Sequence, residues 1–518
     1  MARTEREEPR STSSQATDCL PWTISLIRIN LIQIRLLGSN MFIGRSQELS
    51  LLREELDVPR PSLAIVYGRR RVGKSTLIRE AMGKRSHILY QATRVTSSLN
   101  LEGFKTEISR VLGSDDLLMG IADWLGMLHY LARAAERSPG LIVVLDEFPY
   151  LADADPALPS VVQKFWDSGA PATGNLKLLL CGSIISQMQE LLAERNPLYG
   201  RKTLSLDLAP LSFREAAQFV PSYTAEQKLI TFGIFGGIPF YLQFVNPELS
   251  FQDNIIRLLL TQTGSLVDEP AVLLQSELRE VARYASILAA IAGGCTKHGE
   301  IIGRVREISD SKALSPYLEK LERMRLIRIV KSMDAHPGER DRRYFIADAL
   351  IAFWYRFVQP NLSSIVQGFG REVWRHQILP HLDQFMGLVF EDICRAHAQQ
   401  FSQECFSAPA REIGRIWQTD YDIDVAGTLL NGSVLYGECK WWAGPVGENV
   451  LDDLIQRAAQ TAYGRDNERR DYVLYARTGF TAALRKRAGA QPAIALHTPQ
   501  TMLRVLPARR ARKTHSTR

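Results

Sequence analysis

The sequence predicts a multidomain α/β protein: a parallel-sheet core with a helical lid, a winged helix-turn-helix, and a second α/β domain towards the C-terminus. Three observations predict it. Short apolar runs at Ser62–Tyr67, Leu141–Leu145 and Leu176–Leu180 are separated by helical stretches, as the buried strands of a parallel sheet are. Between residues 280 and 348 lie three helix candidates (Arg283–Ala292, Lys297–Val305, Ser311–Met324) and two β-like runs (Leu326–Val330, Arg343–Ile346) joined by a polar loop with Pro337-Gly338. Beyond the break at Pro360-Asn361 and Gly368–Gly370 come a helix (Met386–Ala398), a hairpin (Tyr421–Ala426 with Val434–Lys440), a helix (Asn449–Ala462) and a strand (Tyr472–Ala476).

Composition bounds the reading. A chain of 518 residues exceeds one domain. Hydrophobic content of 45% and charged content of 23% exclude a disordered or collagen-like chain. The 63 Lys+Arg against 56 Asp+Glu leave a net charge of +7, which favours a polyanionic partner. Six cysteines without a C-x-x-C pair argue against a disulfide framework or a zinc ribbon and for a reducing, cytoplasmic compartment. The apolar stretch Trp22–Leu37 is interrupted by Arg28, Asn30 and Arg35 and falls short of the roughly 20 apolar residues of a membrane span, so no membrane partner is expected.

In chain order, residues 1–40 begin polar (Pro9, Ser11, Ser13, Ser14) and continue without a clean period. They are expected to be an unstructured or spurious extension, with the native start near Met41. A core over 41–210 and a helical lid over 211–279 follow, the lid opening on the N-cap Ser212 and punctuated by Gly236-Gly237-Ile238-Pro239. The winged helix occupies 280–348, a helical connector 349–379, the second α/β domain 380–500 and a basic tail 501–518. In the winged helix, Leu314, Tyr317 and Leu321 are spaced to form the buried face of the third helix, with Lys312, Lys320 and Arg323 free for phosphate contacts. The aromatic run Phe353–Phe357 suits a buried helix better than a base-stacking platform.

The chemistry concentrates in two places. Gly68-Arg-Arg-Arg-Val-Gly73-Lys74-Ser75 fits G-x-x-x-x-G-K-[ST] after a strand and before a helix. Such a loop curls backbone N–H groups around phosphates, with Lys74 on the β and γ phosphates, Ser75 on Mg2+ and Thr76 following into the helix. Asp146 and Glu147 end a second strand, the first to hold the Mg2+ shell and the second to orient the attacking water. Ser183, closing the third strand, has two readings: a hydrogen bond to the γ-phosphate or the water, or an N-cap.

These residues resemble the AAA+ superfamily, and more narrowly its archaeal-type, STAND-like ATPases. The resemblance runs from Phe42-Ile-Gly-Arg45 with Glu48-Leu49, which looks like an adenine-side box, through Asp146-Glu147-Phe148 and Pro197–Arg201, to Gly237-Ile-Pro239. It implies that Arg45 and Pro239 lie on the adenine side, that ATP with Mg2+ is the cofactor, and that Arg201 either senses the γ-phosphate or is an ordinary basic edge residue. ATP, DNA and further copies of the chain in a homo-oligomer are the expected partners.

The second place is Asp424, Glu438 and Lys440, a D-x13-E-x-K pattern, with Glu391 on the helix upstream. Glu438 and Lys440 are i and i+2 on a strand and project from one face, where a carboxylate binds metal and an ammonium steadies developing charge. Of 14 lysines, none but Lys440 falls between Lys331 and Lys486. The order of elements, with Gly437–Trp441, resembles the PD-(D/E)XK nuclease fold and implies Mg2+ or Mn2+ on Glu391, Asp424 and Glu438. Asp422 shares the face of Asp424 and could assist, whereas Trp441 and Trp442 suit a core cap better than base stacking.

The hairpin sets a geometric condition on this site. A two-residue Asn431-Gly432 turn would pair Asp424 with Cys439 and turn it away from Glu438; a three-residue loop with Gly432 left-handed, or a bulge, pairs Asp424 with Glu438. The odd-length loop or bulge is expected. The rival to a DNA-acting ATPase is a nucleotide-gated regulatory or scaffolding protein whose C-terminal domain cuts nothing.

Overall fold

The computed structural model describes residues 42–308, 311–336 and 341–504. The expectations for residues 1–40 and for most of the basic tail lie outside the described residues.

Helix α1 (Ser46–Asp57) precedes β1 (Ser62–Gly68), whose seven residues are all buried, and the P-loop then leads into α2 (Lys74–Met82). With β2 (His87–Gln91), β3 (Ile142–Asp146), β4 (Lys177–Gly182) and β5 (Leu204–Leu208) they form a parallel sheet in the order β2-β3-β4-β1-β5. The expected strands are the three central ones. The two the sequence did not announce, β2 and β5, are the edges, where burial is partial and the apolar run is broken by His87 and Gln91 or by Ser205 and Asp207.

Ser212 caps the next short helix in a capping box with Glu215, as its sequence position suggests. Helices α3 (Ala225–Phe235) and α4 (Glu269–Glu277) follow, then α5 (Val281–Ala292), α6 (His298–Arg304) and α7 (Ser311–Arg323). Strands β6 (Ile327–Lys331) and β7 (Arg342–Ile346) pair antiparallel, with Ile327 opposite Ile346. The inner face of α7 differs from the expected one: Leu314, Leu318 and Leu321 are buried, and Tyr317 sits half-buried at the rim, its hydroxyl 2.5 Å from Glu280. A polar end that must reach solvent or a partner keeps tyrosine at the boundary, and Leu318 takes the core position.

Phe353, Trp354, Tyr355 and Phe357 are buried, and the Trp354 indole donates to the Val267 carbonyl at 2.6 Å. The apolar cluster they join extends from the lid through α8 (Leu379–Gln400) to one face of the second sheet. That sheet contains β8 (Ala410–Trp417), β9 (Asp422–Leu429), β10 (Val434–Lys440), β11 (Arg470–Ala476) and β12 (Ile494–His497), ordered β12-β11-β10-β9-β8. The β8-β9 and β9-β10 pairs are antiparallel, while β10-β11 and β11-β12 are parallel, with α9 (Glu448–Gln460) crossing between β10 and β11. A short helix, Pro499–Met502, runs into the stretch expected as tail, and Met502 is buried.

Candidate functional site

The P-loop geometry follows from its glycines. Gly68 approaches β5 so closely that an added Cβ would lie 2.5 Å from the Leu208 carbonyl oxygen. Gly73 has φ +94° and faces Pro239, whose Cγ would lie 3.6 Å from an added Cβ, so the lid's proline stands directly over the loop. Lys74 is buried and donates to the carbonyls of Gly68 (3.0 Å) and Arg69 (3.1 Å); burial pulls its pKa below the usual lysine value. The Ser75 hydroxyl donates to Asp146 Oδ2 at 2.8 Å, and Asp146 Oδ1 accepts from the Glu147 N–H at 3.0 Å. Thr76 is exposed at the start of α2.

Glu147 is left-handed (φ 54°), and its carboxylate accepts from the Ser183 hydroxyl (2.9 and 3.0 Å) and the Ser183 N–H (3.2 Å). Ser183 thus anchors Glu147, and it is not the expected N-cap, since the cap position of the following helix is Ile184. Arg45 lies behind the loop. Its guanidinium reaches the carbonyls of Val72 and Ala209 and pairs with Glu48 at 2.9 Å, so in this structure it braces the P-loop from outside. Arg201 forms a two-pronged pair with Asp167 (2.8 and 2.7 Å) and donates to the carbonyls of Pro197 and Tyr199.

No sequence pattern announced the role of Arg69, Arg70 and Arg71, the variable positions of the P-loop. Each meets an acid from beyond the core: Arg69 the buried Asp348, Arg70 Glu277 at 3.7 Å, and Arg71 Glu269. Asp348 also caps the helix after β7 by accepting from the Ile351 N–H at 2.8 Å.

The hairpin between β9 and β10 closes with three residues, Leu430-Asn431-Gly432. Leu429 N–H bonds the Ser433 carbonyl at 2.9 Å, Gly432 N–H bonds the Leu429 carbonyl at 3.0 Å, and Gly432 has φ +84°. The register runs from Val434 opposite Thr428 to Gly437 opposite Val425, and by the same count Asp424 and Glu438, the next residues on each strand, fall on one face. Asp424 Oδ2 accepts from the Cys439 N–H at 2.9 Å, and Lys440 pairs with Glu438 at 2.5 Å. Glu391, reaching in from α8, is held by Arg415 (3.3 Å) and Arg395 (3.5 Å).

Electrostatics shows how closely these groups interact. Burial, and then the neighbouring Asp424 charge, lifts the Glu391 carboxyl to about 7. Burial likewise raises Asp424, and burial plus Asp424 raises Glu438. Burial opposes the Lys440 charge, but Glu438 and Asp424 hold its pKa above the ordinary lysine value. Arg457 on α9 was not anticipated; it pairs with Glu438 at 2.9 Å. Asp422 is mostly exposed and lies 3.8 Å from the same Arg457. Trp441 is buried against Phe390, whereas Trp442 is 48% exposed with the Lys440 ammonium 5.4 Å from its ring centroid, so the two tryptophans divide between core and surface.

A parallel sheet with a glycine loop, a lysine, and a serine bonded to the aspartate of the next-but-one strand defines a P-loop ATPase. Comparison with known proteins agrees. Residues 42–245 match the family described as an ATPase domain predominantly from Archaea, and residues 354–450 match a family described as Archaea bacterial proteins of unknown function. An uncharacterized protein of Methanocaldococcus jannaschii is 32% identical over 407 residues, spanning 77% of this chain and 88% of the relative. The chain belongs to the family of that protein, and its residues 42–245 carry the archaeal ATPase domain.

Among solved structures, the Walker-type ATPase of Pyrococcus abyssi is 23% identical, covering 61% of this chain and 96% of its own, with a TM-score of 0.48. The ORC2 protein of Aeropyrum pernix is 17% identical, covering 65% and 98%, with a TM-score of 0.40. The ATPase family implies ATP with Mg2+, and the donor set fits. Ser75 and Asp146 would hold the cation, which supplies counter-charge to the phosphates, and Lys74 would bind them. No helix among the described residues is long and apolar enough to cross a membrane.

Proposed function

We propose that this ATPase acts on DNA, through a winged helix formed by residues 280–348 and a PD-(D/E)XK nuclease-like domain over 380–500, with nucleotide turnover in the 41–210 core and 211–279 lid altering how the two are presented. The observation that carries it is the meeting of Glu391, Asp424, Glu438 and Lys440 at the end of β9 and β10. Three largely buried carboxylates, two of them feeling the Asp424 charge, and an adjacent ammonium are the groups that metal-assisted phosphodiester cleavage uses. Mg2+ or Mn2+ would sit on Glu391, Asp424 and Glu438, and Lys440 would steady the developing charge. The exposed Lys312, Lys320 and Arg323 on α7 and the net charge of +7 suit a phosphate backbone. In the core, Glu147 would orient the attacking water, Arg45 and Pro239 would shape the adenine side, and Arg201 would sense or stabilise the γ-phosphate.

One observation favours the rival reading, a nucleotide-gated regulatory or scaffolding protein. Glu438 is already neutralised by Lys440 and Arg457, and Glu391 is held by Arg395 and Arg415. A single assay separates the two: supercoiled plasmid with Mg2+ or Mn2+, using the wild type and Lys440→Ala. Nicking by the wild type that the variant loses supports the nuclease; no nicking by either leaves the regulatory reading.

A further inference from the structure

Away from both sites, three side chains from distant parts of the chain converge where the C-terminal end of α8 meets the edge strand β12. We propose that His397, Cys405 and His497 form a zinc site. Their ligand atoms lie within 4.8 Å of one another. Cys405 Sγ is 3.8 Å from His397 Nε2, and the two imidazole centroids are 4.9 Å apart. Around tetrahedral zinc, with Zn–N of about 2.0 Å and Zn–S of about 2.3 Å, neighbouring ligand atoms stand roughly 3.3–3.6 Å apart. Contraction by a few tenths of an ångström closes the Cys405–His397 edge.

Two further features point to a ligand. Both ring nitrogens of His497 are buried and have no hydrogen-bond partner among the described residues, a state that in folded proteins calls for a bound water or ion. His397 Nδ1 lies 3.1 Å from the Tyr475 hydroxyl, the kind of outer partner that fixes a metal-binding imidazole with its other nitrogen free for the ion. The nearby Arg214 does not fill the site with bare positive charge, because Glu404 neutralises it through two contacts of 3.0 and 2.9 Å.

Two imidazoles and a thiolate select zinc over magnesium or calcium. Binding releases the thiol proton to solvent as the Zn–S bond forms, and the partly exposed side of Cys405 leaves a fourth position for water. The ion would pin the end of α8 and the turn after it to the edge of the second sheet. Spacings of 8 and 92 residues along the chain hide such a site from any motif.

The test uses the full-length chain, stripped with chelator and titrated with Co2+, then with Zn2+. The expected result is one equivalent of cobalt with the visible bands of tetrahedral coordination and a near-ultraviolet sulfur-to-cobalt band, all displaced by one equivalent of zinc. Cys405→Ser should abolish the sulfur band and His497→Gln should abolish the tetrahedral cobalt bands, both with ATP turnover intact. A wild type without the sulfur band, or a band that survives Cys405→Ser, overturns the proposal. If His497→Gln does not fold, the wild-type and Cys405→Ser spectra decide it alone.

Discussion

Changing Asp348 to asparagine removes one charge from the buried pair that joins the P-loop to the helix after β7. The two side chains are 8% (Arg69) and 1% (Asp348) exposed, so water cannot compensate the guanidinium left behind. Stripping one partner from such a pair costs about 3–5 kcal/mol, because the survivor is a buried, unpaired charge. Asparagine can still accept from the Ile351 N–H, so the contribution of the helix cap, about 1 kcal/mol, is retained and does not inflate the result. In a chain of several units global unfolding is not two-state, so native-state hydrogen exchange is the suitable assay. At about 1.4 kcal/mol per tenfold, a loss of roughly 3 kcal/mol accelerates exchange of the protected amides around Ile351 and the P-loop by at least about 100-fold. Replacing both partners with apolar residues, Arg69→Met with Asp348→Leu, should restore most of the protection. Acceleration of less than about tenfold in Asp348→Asn would refute the claim that this pair ties the P-loop to the helix after β7.

Glu147→Gln should bind ATP as the wild type does and lose its hydrolysis, read as phosphate release, whereas Lys74→Ala should lose both; turnover at the wild-type rate in Glu147→Gln would move the water-orienting role elsewhere. Gly68→Ala forces a methyl group against the Leu208 carbonyl and should cost about 1–3 kcal/mol in thermal unfolding together with nucleotide affinity. Replacing Lys312, Lys320 and Arg323 together with alanine should weaken binding to duplex DNA and flatten its salt dependence, and an unchanged salt slope would favour the regulatory reading.

What the sequence announced and what it hid divide along physical lines. Central strands β1, β3 and β4 are buried on both faces and read as unbroken apolar runs. The unannounced strands β2, β5, β8 and β12 are all sheet edges, half in water, so their apolar runs are short or broken by polar residues. Asp424, Glu438 and Lys440 were legible because strand parity and turn length are countable. Arg457 and Arg415 were not, because their meeting with Glu438 and Glu391 depends on how α9 and β8 pack. The Arg69–Asp348 pair spans 279 positions, and no local pattern could reveal it.

The three-residue turn at Leu430-Asn431-Gly432 carries a rule about inheritance. Because strand side chains alternate with a period of two, inserting or deleting one residue there would turn Asp424 to the opposite face from Glu438. In any relative that keeps the two acids opposed, the turn can change length only by even steps, unless a bulge elsewhere in the hairpin makes up the odd residue. A set of relatives whose turns differ by single residues, with no bulge to offset them, would mark a lineage in which this pairing is no longer under selection.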